Sequence, residues 1–334
     1  MSLIKPITVD YIDAHDGELN DLQFKKHLLD LSSEKNLDGK YIRPWKFEVV
    51  QGFFQQSDPS LVDELEFNYI ENDFGKIPKT WSDLKLKISE LNLNAKENEC
   101  YKILFLARHG QGYHNFGVTK YGSKDWDDHW SKIEGDGEII WGPDPFLTEL
   151  GINQAKENNR AWKEQISKGA PIPSAFYSSP FTRSLSTLVN TWLDIALTES
   201  PIKAHPLIKE DIRETIGVHL CDKRSPRRVI EERFAKYGFI FEDNFEEEDV
   251  LYKSNWRESV LEQGVRLNKF LQFLFEKEWD LDLAKTKTEQ DVFVNVTSHA
   301  GTTRSLLLVL GHPRFTIAAG GMIPVAVKAT RQLD

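Results

Sequence analysis

Cysteine is almost missing from this chain, with only Cys100 and Cys221 among 334 residues. The two lie far apart and lack metal-ligand spacing, which excludes a disulfide scaffold and fits a reducing compartment. Positive charge is also short: 42 Lys and Arg face 52 Asp and Glu, for a formal net charge of -10. Nucleic acids and anionic membranes are bound through broad basic surfaces. Neither is expected as a partner, and any anionic small molecule must be held by a local basic cluster. No apolar run approaches the ~18 residues that a membrane helix needs. The opening "MSLIKPITVDYIDAHDGELN" has no basic stretch ahead of an apolar core, so no secretory signal is read and a cytosolic or nuclear location is expected. Internal repeats and low-complexity segments are absent as well.

Hydrophobic residues make up 40% of the sequence, ample for a sizeable core. Residues 1–98 hold scattered aromatics (Tyr41, Trp45, Phe53, Phe54, Phe74 and Trp81 among them) with few periodic elements. They are too aromatic for disorder and too irregular for a domain of their own, so an extension packed on a main domain at 99–334 is expected. One helix is expected at "SDLKLKISELN", capped by Ser82 or Asp83. From Tyr101 onward strands alternate with helices: "YKILFLA", "LTELGINQAKENNRAWKEQI", "SAFYSS", "FTRSLSTLVNTWLDIAL". Next come a strand in "IKAHPLIKEDI", a helix in "VRLNKFLQFLFEKEWDLDL", a strand in "DVFVNVTSH" and a helix in "TTRSLLLVLG" closed by Gly311. This alternation predicts a three-layer α/β sandwich with a mainly parallel central sheet flanked by helices. Two insertions interrupt it, at 113–145 and 218–256, and loops of that length commonly cover substrates. The acidic run in the second, "FEDNFEEEDV", reads first as a solvated face.

Strand ends carry function in such sheets. Arg108, His109 and Asn115 follow the first strand, Arg183 lies one turn into the helix after Tyr177 and Ser178, and His299 and Gly301 follow "VFVNV". In a parallel sheet these ends share one edge. Two arginines and two histidines there would form an anion pocket, because guanidinium forks bind phosphate bidentately. Glu210, Asp211 and Glu214 are acids beyond a further strand. Adjacent Asp127, Asp128 and His129 in "WDDHW" seldom converge on one ion, so no metal site is expected.

Through these motifs the sequence resembles the histidine phosphatase superfamily, also called phosphoglycerate mutase-like. "ARHGQGYHN" matches its R-H-G with an Asn five residues after the Gly. "LTELGINQA" matches L-T-x-x-G-x-x-Q-A, "SSPFTRSLST" matches S-S-P-x-x-R-x-x-x-T, and "SHAG" matches the second histidine motif. The match spans about 100 to 325 and is nearer to a fungal and plant phosphomutase-like branch. The resemblance implies His109 as the nucleophile that accepts the phosphoryl group, with Arg108, Arg183 and His299 neutralising its oxygens. It favours Glu214, ahead of Gly217, as proton donor and later base, and it makes Asn115, Gly110, Arg213 and Ala300 candidates for touching substrate. Arg213 could instead brace its loop. Lys223, Arg224, Arg227 and Arg228 could hold more substrate charge or pair with the acidic run.

What the resemblance implies is a phosphomonoesterase, acting on a small phosphorylated metabolite and releasing inorganic phosphate, with neither cofactor nor metal. Two alternatives stand beside it. Cofactor-dependent mutases continue R-H-G with E-S-x-W-N and surround the acid with N-E-R-x-Y-G, where this chain has Gln111-Gly112-Tyr113-His114 and "IRETIGVHLCDKRS". A mutase of that type is therefore the second reading, and a catalytically weak binding or regulatory member of the family is the third. The sequence identifies no protein partner.

Overall fold

The run ahead of Arg108 is apolar because sheet neighbours and helices enclose it on every side. Ile103, Leu104, Phe105 and Leu106 have no exposed surface. The computed structural model describes residues 2–15, 21–61, 67–198, 203–277 and 291–333. In chain order the strands are β1 (Trp45–Val49), β2 (Glu99–Arg108), β3 (Ala175–Ser178), β4 (Leu207–Ile208), β5 (Ile240–Phe241), β6 (Phe293–Ser298) and β7 (Met322–Arg331). They form one sheet in the order β1-β7-β2-β6-β3-β4-β5. The run from β2 to β5 is parallel, and β7 is antiparallel to both its neighbours. Register sets where the connecting loops emerge. Arg108 stands opposite Ser298, and Ser178 opposite Thr297, so the chain leaves β2, β3 and β6 at one level of one edge.

Helices cover both faces. They are α1 (Thr8–Ala14), α2 (Asp21–Ser32), α3 (Trp81–Leu93), α4 (Tyr113–Tyr121), α5 (Ser123–Asp128), α6 (Glu149–Ser167), α7 (Thr182–Trp192), α8 (Arg227–Phe234), α9 (Val260–Glu276) and α10 (Ala300–Leu310). One core layer joins Phe105 of β2 to Trp81 and Leu84 of α3, Trp162 of α6, and Leu185 and Trp192 of α7. The other joins Leu104 and Leu106 to Phe24 of α2, Leu267 and Phe270 of α9, and Leu306 of α10. The side chains alternate between layers along β2, as the period of a strand requires. The expected three-layer sandwich is present.

Several boundaries differ from those read in the sequence. The helix at "SDLKLKISELN" begins earlier than expected: Thr80 is its cap, accepting from the N–H of Asp83, while the Asp83 carboxylate accepts from the N–H of Thr80. That reciprocal pair satisfies two donors, where Ser82 or Asp83 as cap would satisfy one. α9 likewise starts at Val260 because Ser259 and Glu262 make the same kind of box; the end of its expected span falls outside the described residues. The strand in "IKAHPLIKEDI" shrinks to Leu207–Ile208, since Pro206 has no N–H to pair and Glu210–Ile212 turns into a 3₁₀ helix. α1 and α2 were not expected at all.

Within 1–98, β1 pairs along β7 from Trp45 opposite Arg331 to Val49 opposite Val327, and Phe53, Phe54, Phe74 and Trp81 are fully buried. Removing residues 1–98 should leave a bare edge on β7 and an opened core, and give aggregated protein. Expression of a fragment beginning at Glu99 tests this by size-exclusion chromatography, and a soluble, fully active fragment would show the segment to be dispensable.

Candidate active site

His109 is the first residue beyond β2, and its N–H donates to the carbonyl of Ser298 at 2.9 Å. The hydrogen bond extends the β2–β6 ladder by one step and fixes the backbone under the imidazole. The ring Nδ1 lies 2.7 Å from the carbonyl oxygen of Gly110. Since a carbonyl only accepts, Nδ1 carries the proton and Nε2 keeps its lone pair. Burial, then the charges of Arg183 and Arg108, push the imidazole pKa well below its ordinary value, so His109 stays neutral. A buried, neutral imidazole with a free Nε2 is the form a nucleophile needs. Gly110 serves this loop by being small: a methyl group there would stand 2.3 Å from the carbonyl oxygen of Gly151 at the start of α6. It does not line the cavity.

The His299 ring is 5.0 Å from His109, centroid to centroid. Its Nε2 lies 2.7 Å from Ser179 Oγ, and its Nδ1 is buried without a protein partner. Arg183 is also fully buried; it donates from Nη1 to the Cys221 carbonyl and from Nη2 to Asp222, and its Nε has no protein acceptor. Arg108 donates from Nη1 to Asp10 at 2.6 Å and to the Ile317 carbonyl, and its Nε too is unpartnered. A buried donor left without an acceptor costs about 1–3 kcal/mol. The two arginine Nε atoms are such donors, and with His299 Nδ1 they are the unpartnered nitrogens of the groups gathered around His109. The Nε atoms of Arg304 and Arg213 are unpartnered as well; Arg304 lines the same cavity and Arg213 does not.

Of the three candidate acids, only Glu214 lines the cavity. Its Oε1 accepts from the N–H of Thr215 at 2.9 Å. Glu210 is held by Arg213 and Arg224, and Asp211 by Lys209 and Lys269. Gly217 lets the chain turn away behind Glu214: its φ is 93°, and a side chain would collide with the Trp256 carbonyl. Arg213, a candidate for touching substrate, does not line the cavity and is tied to carboxylates. Its guanidinium is fully buried against Asp249 and Glu210, so it braces the loop. The acidic run is correspondingly not only a solvated face. Arg224 donates to the carbonyls of Glu246, Glu247 and Glu248, and the Asp249 carboxylate is buried against Arg213.

The cavity, about 630 Å³, is lined by Arg108, His109, Asn115, Glu214 and Ala300; Arg183 and His299 are fully buried and do not line it. Asn115 Oδ1 accepts from the N–H of Gly112, closing the first turn of α4. Both insertions line the cavity, through Trp126, Asp127 and Lys132 from the first and His219 and Asp222 from the second, with Arg257 just after it. They are joined where Trp126, Trp141 and Cys221 pack together. Sequence reasoning missed Asp10 and Asp13 of α1, His114, and Arg304, which is paired to Asp13 at 2.7 Å. His114 had a signal, lying inside the first motif; Asp10 had none. Asp127, Asp128 and His129 do not converge, since Asp127 meets His219 and Asp128 meets Lys124. Among the described residues one metal-like group occurs, His219, Cys221 and Asp222, with ligand atoms within 4.8 Å of one another. It suits a cation poorly. Asp222 is engaged by Arg183 and Arg257, and burial pushes the Cys221 thiol well above its usual pKa.

A buried histidine at a strand end, held neutral by burial and arginine charge, thus stands beside buried arginine donors and the Glu214 carboxylate. The chain belongs to the histidine phosphatase, or phosphoglycerate mutase-like, superfamily. A protein of Arthroderma benhamiae named "Probable phosphoglycerate mutase" is 36% identical over 303 residues, 86% of each chain. "Probable phosphoglycerate mutase PMU1" of Saccharomyces cerevisiae is 30% identical over 82% of this chain and 90% of its own. "Phosphoglycerate mutase-like protein 1" of Arabidopsis thaliana is 28% identical over 53% of this chain and 64% of its own. A solved phosphoglycerate mutase from Bacillus anthracis aligns with a TM-score of 0.42 at 14% identity, over 70% of this chain and 90% of that one. No family model matches. No described helix is long and apolar enough to cross a membrane.

The buried Arg213–Asp249 pair gives a test of bracing against ligand binding. Asp249→Ala would leave the buried guanidinium with Glu210 as its remaining carboxylate, and breaking such a buried pair typically costs about 3–5 kcal/mol. Urea unfolding should show that loss; unchanged stability with a large rise in KM would return Arg213 to the substrate.

Proposed function

We propose that the protein is a phosphomonoesterase that hydrolyses a small phosphorylated metabolite through a phosphohistidine on His109. The observation that carries the reading is the His109 tautomer, with Nδ1 tied to the Gly110 carbonyl and Nε2 left as a lone pair. In the first step Nε2 bonds to phosphorus while the bond to the leaving oxygen breaks. Arg108, Arg183 and His299 hold the non-bridging oxygens, and Glu214 gives the leaving oxygen its proton. In the second step Glu214 takes a proton from water as the water oxygen bonds to phosphorus, the bond from phosphorus to His109 Nε2 breaks with its electron pair returning to the nitrogen, and inorganic phosphate departs. No step calls for a metal or a cofactor.

Hydrolysis is favoured over transfer on the sequence around the motif, and the cavity, about 630 Å³, can hold a small phosphorylated molecule in either case. The segment after R-H-G departs from the mutase pattern at Gln111, Gly112 and His114. The relatives' names support the other reading, a phosphomutase. Phosphate release from a panel of phosphorylated metabolites, measured beside transfer to phosphoglycerate, separates the two. Hydrolysis should dominate, and His109→Ala should abolish it in folded protein. Glu214→Gln should slow phosphorylation by an alkyl phosphate about 10²–10⁴-fold and by nitrophenyl phosphate far less. Faster transfer than release would establish the mutase, and an active His109→Ala protein would end both readings.

A further inference from the structure

Three imidazoles, not two, meet at the proposed phosphoryl site. His114 is the second residue of α4, its ring 5.3 Å from that of His109 and tilted 54° to it, and it lines the same cavity. Its Nδ1 is buried with no protein partner. A histidine kept for packing is handled differently in this fold. His312 has both nitrogens engaged, one 3.1 Å from Ser57 Oγ and the other 2.6 Å from the Pro313 carbonyl. The seat of His114 is also specific: a methyl group on Gly112 would stand 2.7 Å from its Nδ1 and Cε1. A side chain at 112 would force the ring or the backbone beside it to shift.

Burial, and then the charge of Arg183, hold the His114 pKa well below its ordinary value, so the ring carries a single proton. On Nδ1 that proton would be a buried donor facing no acceptor. On Nε2, the nitrogen left for the cavity, it meets whatever the cavity holds.

We infer that His114 is a further catalytic residue, whose Nε2–H donates to a non-bridging oxygen of the phosphoryl group as it passes to His109. The inference rests on the reading of the site as one for phosphoryl transfer. His114 takes and gives no proton; the bond to phosphorus forms at His109 Nε2, and the leaving oxygen is protonated by Glu214. Its contribution is a hydrogen bond that shortens as charge gathers on the oxygen.

The test uses the full chain, nitrophenyl phosphate as substrate and vanadate as a five-coordinate mimic of the transition state. Loss of one such donor typically costs about 10²–10³ in kcat. His114→Ala should lose kcat on that order with KM little changed, and vanadate should bind correspondingly more weakly. His114→Gln, which keeps an N–H, should recover part of both. Wild-type kcat and vanadate affinity in His114→Ala would overturn the inference, and so would a loss confined to KM. If the alanine variant fails to fold, His114→Gln and His114→Phe both fill the space. A Gln variant well ahead of Phe supports the donor, and equal activities overturn it. An inactive His109→Ala beside a fully active His114→Ala sinks this inference alone, whereas activity in His109→Ala sinks the phosphohistidine reading beneath it.

Discussion

Everything at the site depends on the parallel register of β2 and β6. With Arg108 opposite Ser298, the next residue of each chain segment is a histidine, and the hydrogen bond from the His109 N–H to the Ser298 carbonyl locks that alignment one step past the strands. A slip of one residue would turn every side chain of β2 to the other face. Leu104 and Leu106 would then leave one core layer for the other, and His109 would face a helix instead of His299. The apolar strand is therefore part of the chemistry, because its buried faces leave only one register available.

The second constraint is charge. An acidic chain has to keep a cluster of guanidinium groups in its interior, and each is held by an aspartate from outside the sheet: Arg108 by Asp10, Arg304 by Asp13, Arg183 by Asp222 and Arg213 by Asp249. Two of these aspartates lie in α1 and two in the insertion at 218–256. Burying a charge without a partner is costly, and breaking a buried pair costs more than the pair contributes. The N-terminal segment and the insertion thus balance the arginines of the site, while Nε of Arg108 and Arg183 has no protein partner. Burial and nearby arginine charge keep His109, His114 and His299 neutral.

Much of the fold and site is legible in the sequence. The apolar strand, Gly311 as a helix stop and the motif around His109 are local signals, and α6 and α7 declare themselves by strong periodicity. Glu214 is favoured there by its place ahead of Gly217, and the geometry separates it from Glu210 and Asp211, which are tied up by cations. The hidden part is long range. Asp10 lies 98 residues from Arg108, and nothing in "PITVDYIDAH" announces a partner. α1 is too short for periodicity to reveal, and the bracing role of Arg213 depends on Asp249, 36 positions away. His114 is visible inside the first motif, but only the fold shows its ring turned beside that of His109.

The central claim is that His109 presents Nε2 because Nδ1 is committed to the Gly110 carbonyl. Phosphorus-31 NMR of the enzyme trapped by rapid acid-free denaturation during turnover tests it, since the two phosphohistidine isomers have distinct shifts. The account predicts a single phosphorylated histidine, His109, modified at Nε2. Phosphate on Nδ1, on another residue, or on no residue while turnover proceeds would contradict it.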